Sequence, residues 1–535
     1  MFNEFNSNKP SVSVSPSSIP SNKLLQKNTQ TKSKFFSCHG ILIHLFQQAE
    51  SLFNHICQNA KSLYKRVFKI EKSDTIHPTA VKSSNVFLDS ALTFEQLVDK
   101  SDQFDRHSPF PTHDNRIFAL TNGCPIKQQE VLEHARNTRP IIHEKTMQLV
   151  SDFINLKKQH GTDIEKQQYQ DMSEKSFIDR LLTKRPLMFM TESDSFLLAD
   201  GKSGAAGFES IGTPQEQTPL VLANYLSYDE MAIAALLGVS VPTHFINNGN
   251  RYNLGEKDPT GAYEEKGVYT ALVGARFEKP GLMEWQHMII TAHQNTEFNG
   301  YGEKLEKQNL SQQNPQQQLL AIWEKFYGHR FPTNEEATAD QTGNYIPIGN
   351  GAYLNKAVYK ERMRMSIETF LIDANQRGME QGKKAYVHAV GLGLGVWQIS
   401  PAQAKLMIEV YAETLSNCQL AHISDIDFSW FPDDCTDCGG IANLNVFTAE
   451  QNDIKIHFSK RNPADQLTSS DEGKLLVASY AWDGNSYPGN EYWAGALSAS
   501  GDPAAACCST IAELQNPHIN PNVSSTKLLI IKIKG

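Results

Sequence analysis

Three acidic residues lie close together near the C-terminus, in a segment rich in Gly, Pro, Asn and Ser. Asp483, Glu491 and Asp502 follow residues 475–480, whose apolar run predicts a β-strand. Loops at strand ends often carry the functional groups of open α/β sheets, and neighbouring carboxyl groups can divide the roles of general acid and general base. The alternative is that each acid only caps a turn or, for Asp502 before Pro503, the start of a helix.

A glycine-rich turn is the second feature that could do chemistry. Gly391, Gly393 and Gly395 alternate after the apolar strand pattern of residues 385–390, and a helical pattern follows the turn. Glycine lets a ligand approach the backbone closely, and free N–H groups near a helix start attract phosphates. The turn could therefore hold a diphosphate; the alternative is a turn that serves packing only. A dinucleotide-binding fingerprint is excluded, because Val396 stands where that motif needs its third glycine.

Polar and aromatic residues that follow other predicted strands are further candidate ligands. The amides of residues 247–251 could bind hydroxyl groups and Arg251 could meet an anion, while a polar turn is the plainer reading. Phe277 could stack on a flat ring or belong to the core, and one of Asp425 and Asp427 could accept a hydrogen bond from an amino or hydroxyl group. The predicted ligand-binding residues are Asn247, Asn248, Gly249, Arg251, Phe277, Gly391, Gly393, Gly395, Val396, Trp397, Asp427 and Asn485.

The elements that must position these residues alternate between helix and strand in the C-terminal half. From residue 241 onward, helical patterns separate short apolar runs, which indicates an α/β sheet flanked by helices. Residues 91–240 have mainly helical patterns. Ser227 and Glu230, for example, have the spacing of a capping box at a helix start.

The N-terminal region differs in composition from the rest. Residues 1–34 are rich in Ser, Asn, Lys and Pro, which predicts a disordered tail. Residues 41–69 carry apolar side chains at steps of three and four, which predicts one amphipathic helix that packs, binds a partner or lies on a membrane surface. We therefore divide the chain into a tail plus helix over 1–90, a helical extension over 91–220 and a catalytic domain over 221–525.

Charge and cysteine content exclude several classes of protein. The chain has 535 residues and a formal net charge of −9, which argues against a nucleic-acid binder. No run of about 18 apolar residues predicts a transmembrane helix, and the first residues lack the apolar core of a secretory signal. Cys435 and Cys438 form one C-x-x-C pair without a second pair to complete a zinc site. We expect reduced thiols, no metal and no cofactor.

Four long motifs resemble a macrodomain-like family of ADP-ribosylhydrolases that includes bacterial effectors. They are HFINNGNRYNLG (244–255), GVYTALVGARFEKPGLMEWQHMII (267–290), AYVHAVGLGLGVWQ (385–398) and SYPGNEYWAGALSASGDPAAACCSTIAELQNPHINP (486–521). The resemblance covers roughly residues 220–521. It implies a macrodomain-like mixed sheet flanked by helices, with the mainly helical extension before it.

The resemblance also implies a function, which is hydrolysis of mono-ADP-ribose from a modified protein. The diphosphate would lie at the Gly391–Trp397 turn, and Asp483, Glu491 and Asp502 would act on the glycosidic bond, whose cleavage has an oxocarbenium-like transition state. By family analogy, the acceptor would be arginine, possibly on ubiquitin, a host protein could bind the N-terminal helix, and the chain would pass from a bacterial cytoplasm into a host cytosol. The alternative is a module that binds ADP-ribose without cleaving it. Cleavage of poly(ADP-ribose) chains is not expected, because the glycine triplet followed by Gln-Glu-Glu is absent.

Overall fold

The computed structural model describes residues 92–302, 314–449, 452–498 and 500–533. The predicted tail and the predicted amphipathic helix at 41–69 lie outside these residues. Residues Asp89–Gly535 form one compact unit.

The helices and strands of this unit have the following bounds. The α-helices are α1 (Phe94–His107), α2 (Ile117–Thr121), α3 (Pro125–Arg136), α4 (Glu144–His160), α5 (Asp163–Tyr169), α6 (Glu174–Thr183), α7 (Tyr228–Ala234), α8 (Trp285–Met288), α9 (Pro315–Tyr327), α10 (Asn334–Ala339), α11 (Lys356–Gln381), α12 (Ala402–Asn417), α13 (Gly501–Cys508) and α14 (Ile511–Leu514). The β-strands are β1 (Arg139–His143), β2 (Met188–Met190), β3 (Ser195–Leu197), β4 (Ser203–Gly204), β5 (Leu237–His244), β6 (Lys266–Leu272), β7 (Ile289–Ile290), β8 (Tyr345–Gly349), β9 (Ala352–Asn355), β10 (Ala385–Ala389), β11 (Ile423–Ser429), β12 (Asp437–Cys438), β13 (Ile441–Ala442), β14 (Val446–Ala449), β15 (Asn452–Ser459), β16 (Leu475–Ala481) and β17 (Leu529–Ile531).

Nine of these strands form one mixed sheet, in the order β14-β15-β11-β10-β16-β6-β5-β1-β17. The run β15-β11-β10-β16-β6 is parallel throughout, whereas β5 is antiparallel to β6 and β1 is antiparallel to β5. The predicted α/β class with a mixed sheet is therefore confirmed. Because parallel strands end at the same edge, the loops after β10, β16 and β6 leave the sheet side by side.

The sheet is buried because helices cover it. Every residue of β10 and all but the last of β16 are buried, as expected for parallel strands covered on both faces. Helix α11 packs against β1, β6, β10 and β16 and also against α12. The capping box predicted for α7 is present, since the Ser227 side chain accepts a hydrogen bond from the Glu230 N–H and the Glu230 side chain accepts one from the Ser227 N–H.

Residues 92–220 contribute directly to this sheet. They contain α1 to α6, the small sheet β2-β3-β4, and β1, which lies between β5 and β17 with Ile141 opposite both Gly238 and Leu529. This segment and the sheet therefore share one core. Within the described residues, no helix is long and apolar enough to cross a membrane.

Candidate active site

Loops that follow three neighbouring strands converge at one edge of the sheet. The strands β10, β16 and β6 are adjacent and parallel, so the loops that follow them begin at the same edge of the sheet. These loops are, in the same order, residues 390–401, 482–498 and 273–284. The Trp482 N–H donates to the Leu272 carbonyl oxygen over 2.8 Å, which joins the second loop to the end of β6. The glycine turn and the acidic loop are therefore neighbours.

The glycine turn packs directly on the loop after β6. Gly393 has a φ of +68°, and a Cβ there would lie 3.0 Å from the Ala275 carbonyl oxygen. A Cβ on Gly274 would in turn collide with the backbone of Leu392 and Gly393. Gly393 is therefore required by backbone conformation and by contact with a neighbouring loop, and it does not face open solvent.

The rest of the turn is open. A Cβ on Gly395 would meet nothing within 4 Å, and the Val396 side chain is 90% exposed. Gly391 instead packs against the side chain of Leu394. Among the residues that the structure describes, none accepts a hydrogen bond from the N–H groups of residues 391–397. The N–H groups of residues 395–397 lie at this open end of the turn without an acceptor among the described residues, which suits an anion such as a diphosphate.

The three predicted acids lie together. One carboxylate oxygen from each of Asp483, Glu491 and Asp502 lies within 4.8 Å of the other two. Asp483 and Glu491 are half-buried, whereas Asp502 is buried. The loop after β16 carries the first two, and the first turn of α13 carries the third.

The small sheet β2-β3-β4 helps to hold Asp483 in place through Asn490. The Asn490 side-chain amide donates to the Asp483 carboxylate, and the Asn490 side-chain oxygen accepts from the Phe189 N–H of β2 over 2.9 Å. The small sheet β2-β3-β4 therefore supports the acidic loop from outside the parallel strands.

The other two carboxylates each have one bonded and one free oxygen. Ser500 Oγ donates to Glu491 Oε1 over 3.2 Å, and the Gly489 N–H donates to Asp502 Oδ1 over 2.7 Å. The second oxygens, Glu491 Oε2 and Asp502 Oδ2, have no partner among the described residues. Asp502 does not cap α13, because Ser500 is the residue at the N-cap and the Asp502 carboxylate bonds to the preceding loop.

The environment raises the pKa of all three carboxyl groups. Burial is the largest cause for each, and the charge of Glu491 raises the pKa of Asp483 further. The charges of Asp483 and Glu491 likewise raise the pKa of Asp502. Arg276 opposes these effects at Asp483. Close carboxyl groups with raised pKa values favour sharing a proton, and a protonated acid beside an ionised base is the arrangement that general acid–base catalysis needs.

The same cluster is the place where a cation could bind in the described part of the chain. Three close carboxylate oxygens match the ligand type that Mg²⁺ and Ca²⁺ prefer. However, clusters of acidic residues are common in proteins that bind no cation. The raised pKa values of the three carboxyl groups are instead a property that general acid–base catalysis requires.

An arginine that the sequence reading did not single out connects the three loops. Arg276 lies directly before Phe277 and is 3% exposed. With the Asn485 amide turned so that its oxygen faces the guanidinium, Arg276 Nε and Nη1 lie 3.1 and 3.0 Å from that oxygen. The Arg276 Cζ also lies 4.9 Å from the centre of the Trp397 ring. The sequence feature that points to Arg276 is a charged residue just past the end of a predicted strand.

Trp397 and Asn485 thus both contact Arg276, whereas Phe277 is a core residue. Trp397 is 5% exposed, and its indole N–H has no partner among the described residues. Phe277 is also buried and packs edge-on against Trp285.

The polar run 247–251 begins at the opposite edge of the sheet. The last residue of β5, His244, pairs with the first residue of β6, Lys266, because these strands are antiparallel. The Asn247 and Asn248 side chains bond within this loop and to Asp465. The side chains of these predicted ligands are thus engaged locally, apart from the exposed Arg251, and Gly249 packs near Pro463.

Asp427 is engaged within the sheet. Its carboxylate accepts hydrogen bonds from Tyr386, Ser429 and Ser459 at distances between 2.8 and 3.1 Å, and the residue is 1% exposed. The structure therefore does not bring this predicted ligand next to the carboxylate cluster.

The protein therefore has a macrodomain-like mixed sheet, one edge of which brings the turn with free N–H groups beside the carboxylate cluster. The profile of the family described as "ADP-ribosylhydrolase MavL-like" matches residues 95–535. The chain belongs to this MavL-like ADP-ribosylhydrolase family, and it is an enzyme. The match also includes most of residues 91–220, which the resemblance read from the sequence left out.

Two relatives from Drosophila melanogaster agree with this assignment. The ADP-ribosylarginine hydrolase CG3568 is 40% identical over 414 residues, covering 75% of this chain and 80% of the relative. The ADP-ribosylarginine hydrolase CG2909 is 38% identical over 405 residues, covering 74% of this chain and 79% of the relative. Both are animal proteins, so they lend no support to the expectation of a bacterial effector that enters a host cell.

Proposed function

We propose that this protein removes mono-ADP-ribose from arginine side chains of modified proteins. The observation that carries the proposal is the cluster of Asp483, Glu491 and Asp502 beside the open turn at 391–397. Arginine as the acceptor is supported by the names of both Drosophila relatives, which are ADP-ribosylarginine hydrolases.

The order of the strands supports one orientation of the ligand. The acids follow β16 and the turn follows β10, whereas β11 and β15 lie on the other side of the turn. A pocket of about 450 Å³ lies at the ends of β11 and β15, lined among others by Phe428, Phe458 and Lys460. Strands about 4.8 Å apart separate this pocket from the strand that carries the acids by ~10–14 Å. In the proposed orientation, the diphosphate binds the turn, the distal ribose meets the carboxylates and the adenosine half extends toward the pocket.

The proposed reaction breaks the C1″–N bond between the distal ribose and the positively charged guanidinium group of the arginine. The electron pair of that bond stays on nitrogen, and a carboxylate stabilises the oxocarbenium-like transition state. An ionised carboxylate removes a proton from the attacking water, whose oxygen bonds to C1″. A protonated carboxyl group gives its proton to the departing nitrogen, so the products are ADP-ribose and a guanidinium group.

The test counts ADP-ribose by mass spectrometry on a modified protein before and after incubation with the enzyme. Arginine-modified ubiquitin is one substrate, because the family resemblance suggests it, and a second arginine-modified protein and a serine-modified protein stand beside it. We expect loss of the modification from both arginine-linked substrates and retention on serine. Binding of free ADP-ribose without release from any substrate would instead identify a reader module.

A further inference from the structure

The guanidinium of Arg276 is bonded along its edge to two different loops. Its Nη2 donates to Glu278 Oε2 over 2.6 Å within its own loop. Its Nε and Nη1 lie 3.1 and 3.0 Å from the reoriented Asn485 side-chain oxygen. Asn485 is two residues from Asp483, so the guanidinium fixes the loop that carries this acid.

The same guanidinium lies over two aromatic rings. Its Cζ lies 4.9 Å from the centre of the Trp397 ring, at the end of the glycine turn, and 5.3 Å from the centre of the Phe189 ring of β2. Cations over aromatic faces are attracted most strongly where water is excluded, and Arg276 is 3% exposed. One side chain therefore touches the anion-binding turn, the acidic loop and the small sheet.

The backbone beneath Arg276 is anchored to the long helix α11. The Arg276 N–H donates to Glu284 Oε2 over 3.0 Å, and Glu284 forms a buried ion pair with Arg362 of α11. Arg362 also donates to the carbonyl oxygens of Val273 and Gly274 over 3.2 and 3.1 Å. The side chain thus extends from a rigid base, as a residue that positions others requires.

We propose that Arg276 is a positioning residue that holds the glycine turn and the Asp483 loop at a fixed separation, so that a bound diphosphate places its ribose against the carboxylates. This inference rests on the proposed function. Its physical basis is that misplacement by about 1 Å costs on the order of 100-fold in rate. Lysine cannot replace arginine here, because an ammonium group lacks the planar fork and the stacking face.

The experiment compares Arg276→Lys, Arg276→Gln and wild type by single-turnover release of ADP-ribose from an arginine-modified protein across pH. We expect both variants to lose about 10–100-fold in rate. Arg276→Lys keeps the positive charge, so the pH at which the rate changes should stay near that of wild type. Arg276→Gln should shift that pH upward, because Arg276 opposes the rise in the pKa of Asp483.

The matched control is a second buried arginine whose contacts lie away from the three loops. Arg377 is 3% exposed and donates to the carbonyl oxygens of Asn137 and Ser240. Arg377→Lys should lower the melting temperature but keep the single-turnover rate and pH profile of the folded enzyme. If the Arg276 variants lose no more rate than Arg377→Lys, the positioning role is refuted.

A second measurement separates failure of this inference from failure of the proposed function. If wild type releases no ADP-ribose, the proposed function fails, and calorimetry with free ADP-ribose then tests Arg276 alone. A tenfold or greater loss of affinity in folded Arg276→Gln would support its role in positioning the turn. Wild-type affinity in that variant would overturn it.

Discussion

Asp483, Glu491 and Asp502 each offer one carboxylate oxygen within 4.8 Å of the other two, and this closeness and their burial raise the pKa of the cluster. We expect Asp483→Asn, Glu491→Gln and Asp502→Asn each to lower ADP-ribose release. General acid–base assistance is typically worth ~10²–10⁴-fold, so the loss should be of that order for the groups that transfer protons. The affinity for free ADP-ribose should change far less, because these interactions strengthen in the transition state.

The outcome for Asp502 is the sharpest part of this prediction. A helix cap would tolerate Asn, whereas a member of the acid–base cluster would not. The Asp502→Asn side chain can still accept the Gly489 N–H, so the local structure should persist. Asp453 is exposed at the start of β15, at the opposite edge of the sheet, and Asp453→Asn is the control that should keep full activity. Full activity in all three cluster variants would show that the acids are misassigned.

In the glycine turn, the effect of filling the open space can be tested separately from the effect of straining the backbone. Nothing lies within 4 Å of a Cβ at Gly395, and this residue lacks the positive φ of Gly393. Gly395→Leu should therefore keep the melting temperature but lose at least tenfold in ADP-ribose affinity by calorimetry, because its side chain fills the space beside the free N–H groups. Gly393→Ala should instead destabilise the fold by about 1–2 kcal/mol. Unchanged affinity in Gly395→Leu would locate the phosphates elsewhere.

Features that depend on residue type and short spacing could be predicted from the sequence. They are the glycine turn, the closeness of the three acids and the Ser227 capping box, whereas the roles of the turn and the acids stay predictions. Arg276 could not be assigned from the sequence, because its partners Asn485 and Trp397 are more than a hundred residues away. Its contacts exist only once three strands have paired.

The packing of α3 against β5 brings together the half-buried His134 and the buried His244, which should make the fold sensitive to acid. The rings of His134 and His244 lie 4.9 Å apart. Burial first, then nearby positive charge, lowers the pKa of His134 from 6.5 to about 3 and that of His244 to about 4. Since the unfolded chain binds these protons more readily, stability is full above pH 6.5 and falls as the pH drops toward the folded values.

A single substitution tests this sensitivity. Each histidine whose pKa is lowered in the folded state reduces the free energy of unfolding by about 1.4 kcal/mol for every pH unit below its unfolded pKa. His134→Phe should therefore reduce the loss of unfolding free energy between pH 7 and pH 5 by about 1–2 kcal/mol, measured by urea denaturation. The exposed His113, replaced by Gln, is the control and should leave that loss unchanged. An equal loss in His134→Phe and wild type would contradict the role of the buried pair.

The sequence alone does not give the direction of β5, and the position of residues 247–251 depends on that direction. A polar run after an apolar strand predicts a loop, and the structure has a loop there, but its location depends on strand direction. The pairing of Val239 with Ala271 and of His244 with Lys266 makes β5 antiparallel to β6. Strand direction arises from pairing across the sheet, so no local pattern could place this loop at the edge opposite the acids.

In the whole molecule, the candidate site depends on a longer segment than the resemblance alone suggested. Strand β1 lies between β5 and β17, and Asn490 bonds to β2. We expect a chain that starts at residue 89 to fold and to keep ADP-ribose release, since Asp89–Gly535 is one compact unit. A chain that starts at residue 221 should fail to fold cooperatively, because it lacks β1 and the small sheet. Thermal unfolding and the release assay on both chains check this, and a stable, active chain from 221 would contradict it.

A crystal structure with ADP-ribose bound would test the site as a whole. We expect the diphosphate oxygens within hydrogen-bond distance of the N–H groups of residues 391–397, about 2.7–3.2 Å. We also expect the anomeric carbon of the distal ribose to lie beside Asp483, Glu491 and Asp502, with room for a water between them. Diphosphate bound away from the turn, or an anomeric carbon far from all three carboxyl groups, would contradict the proposed mechanism.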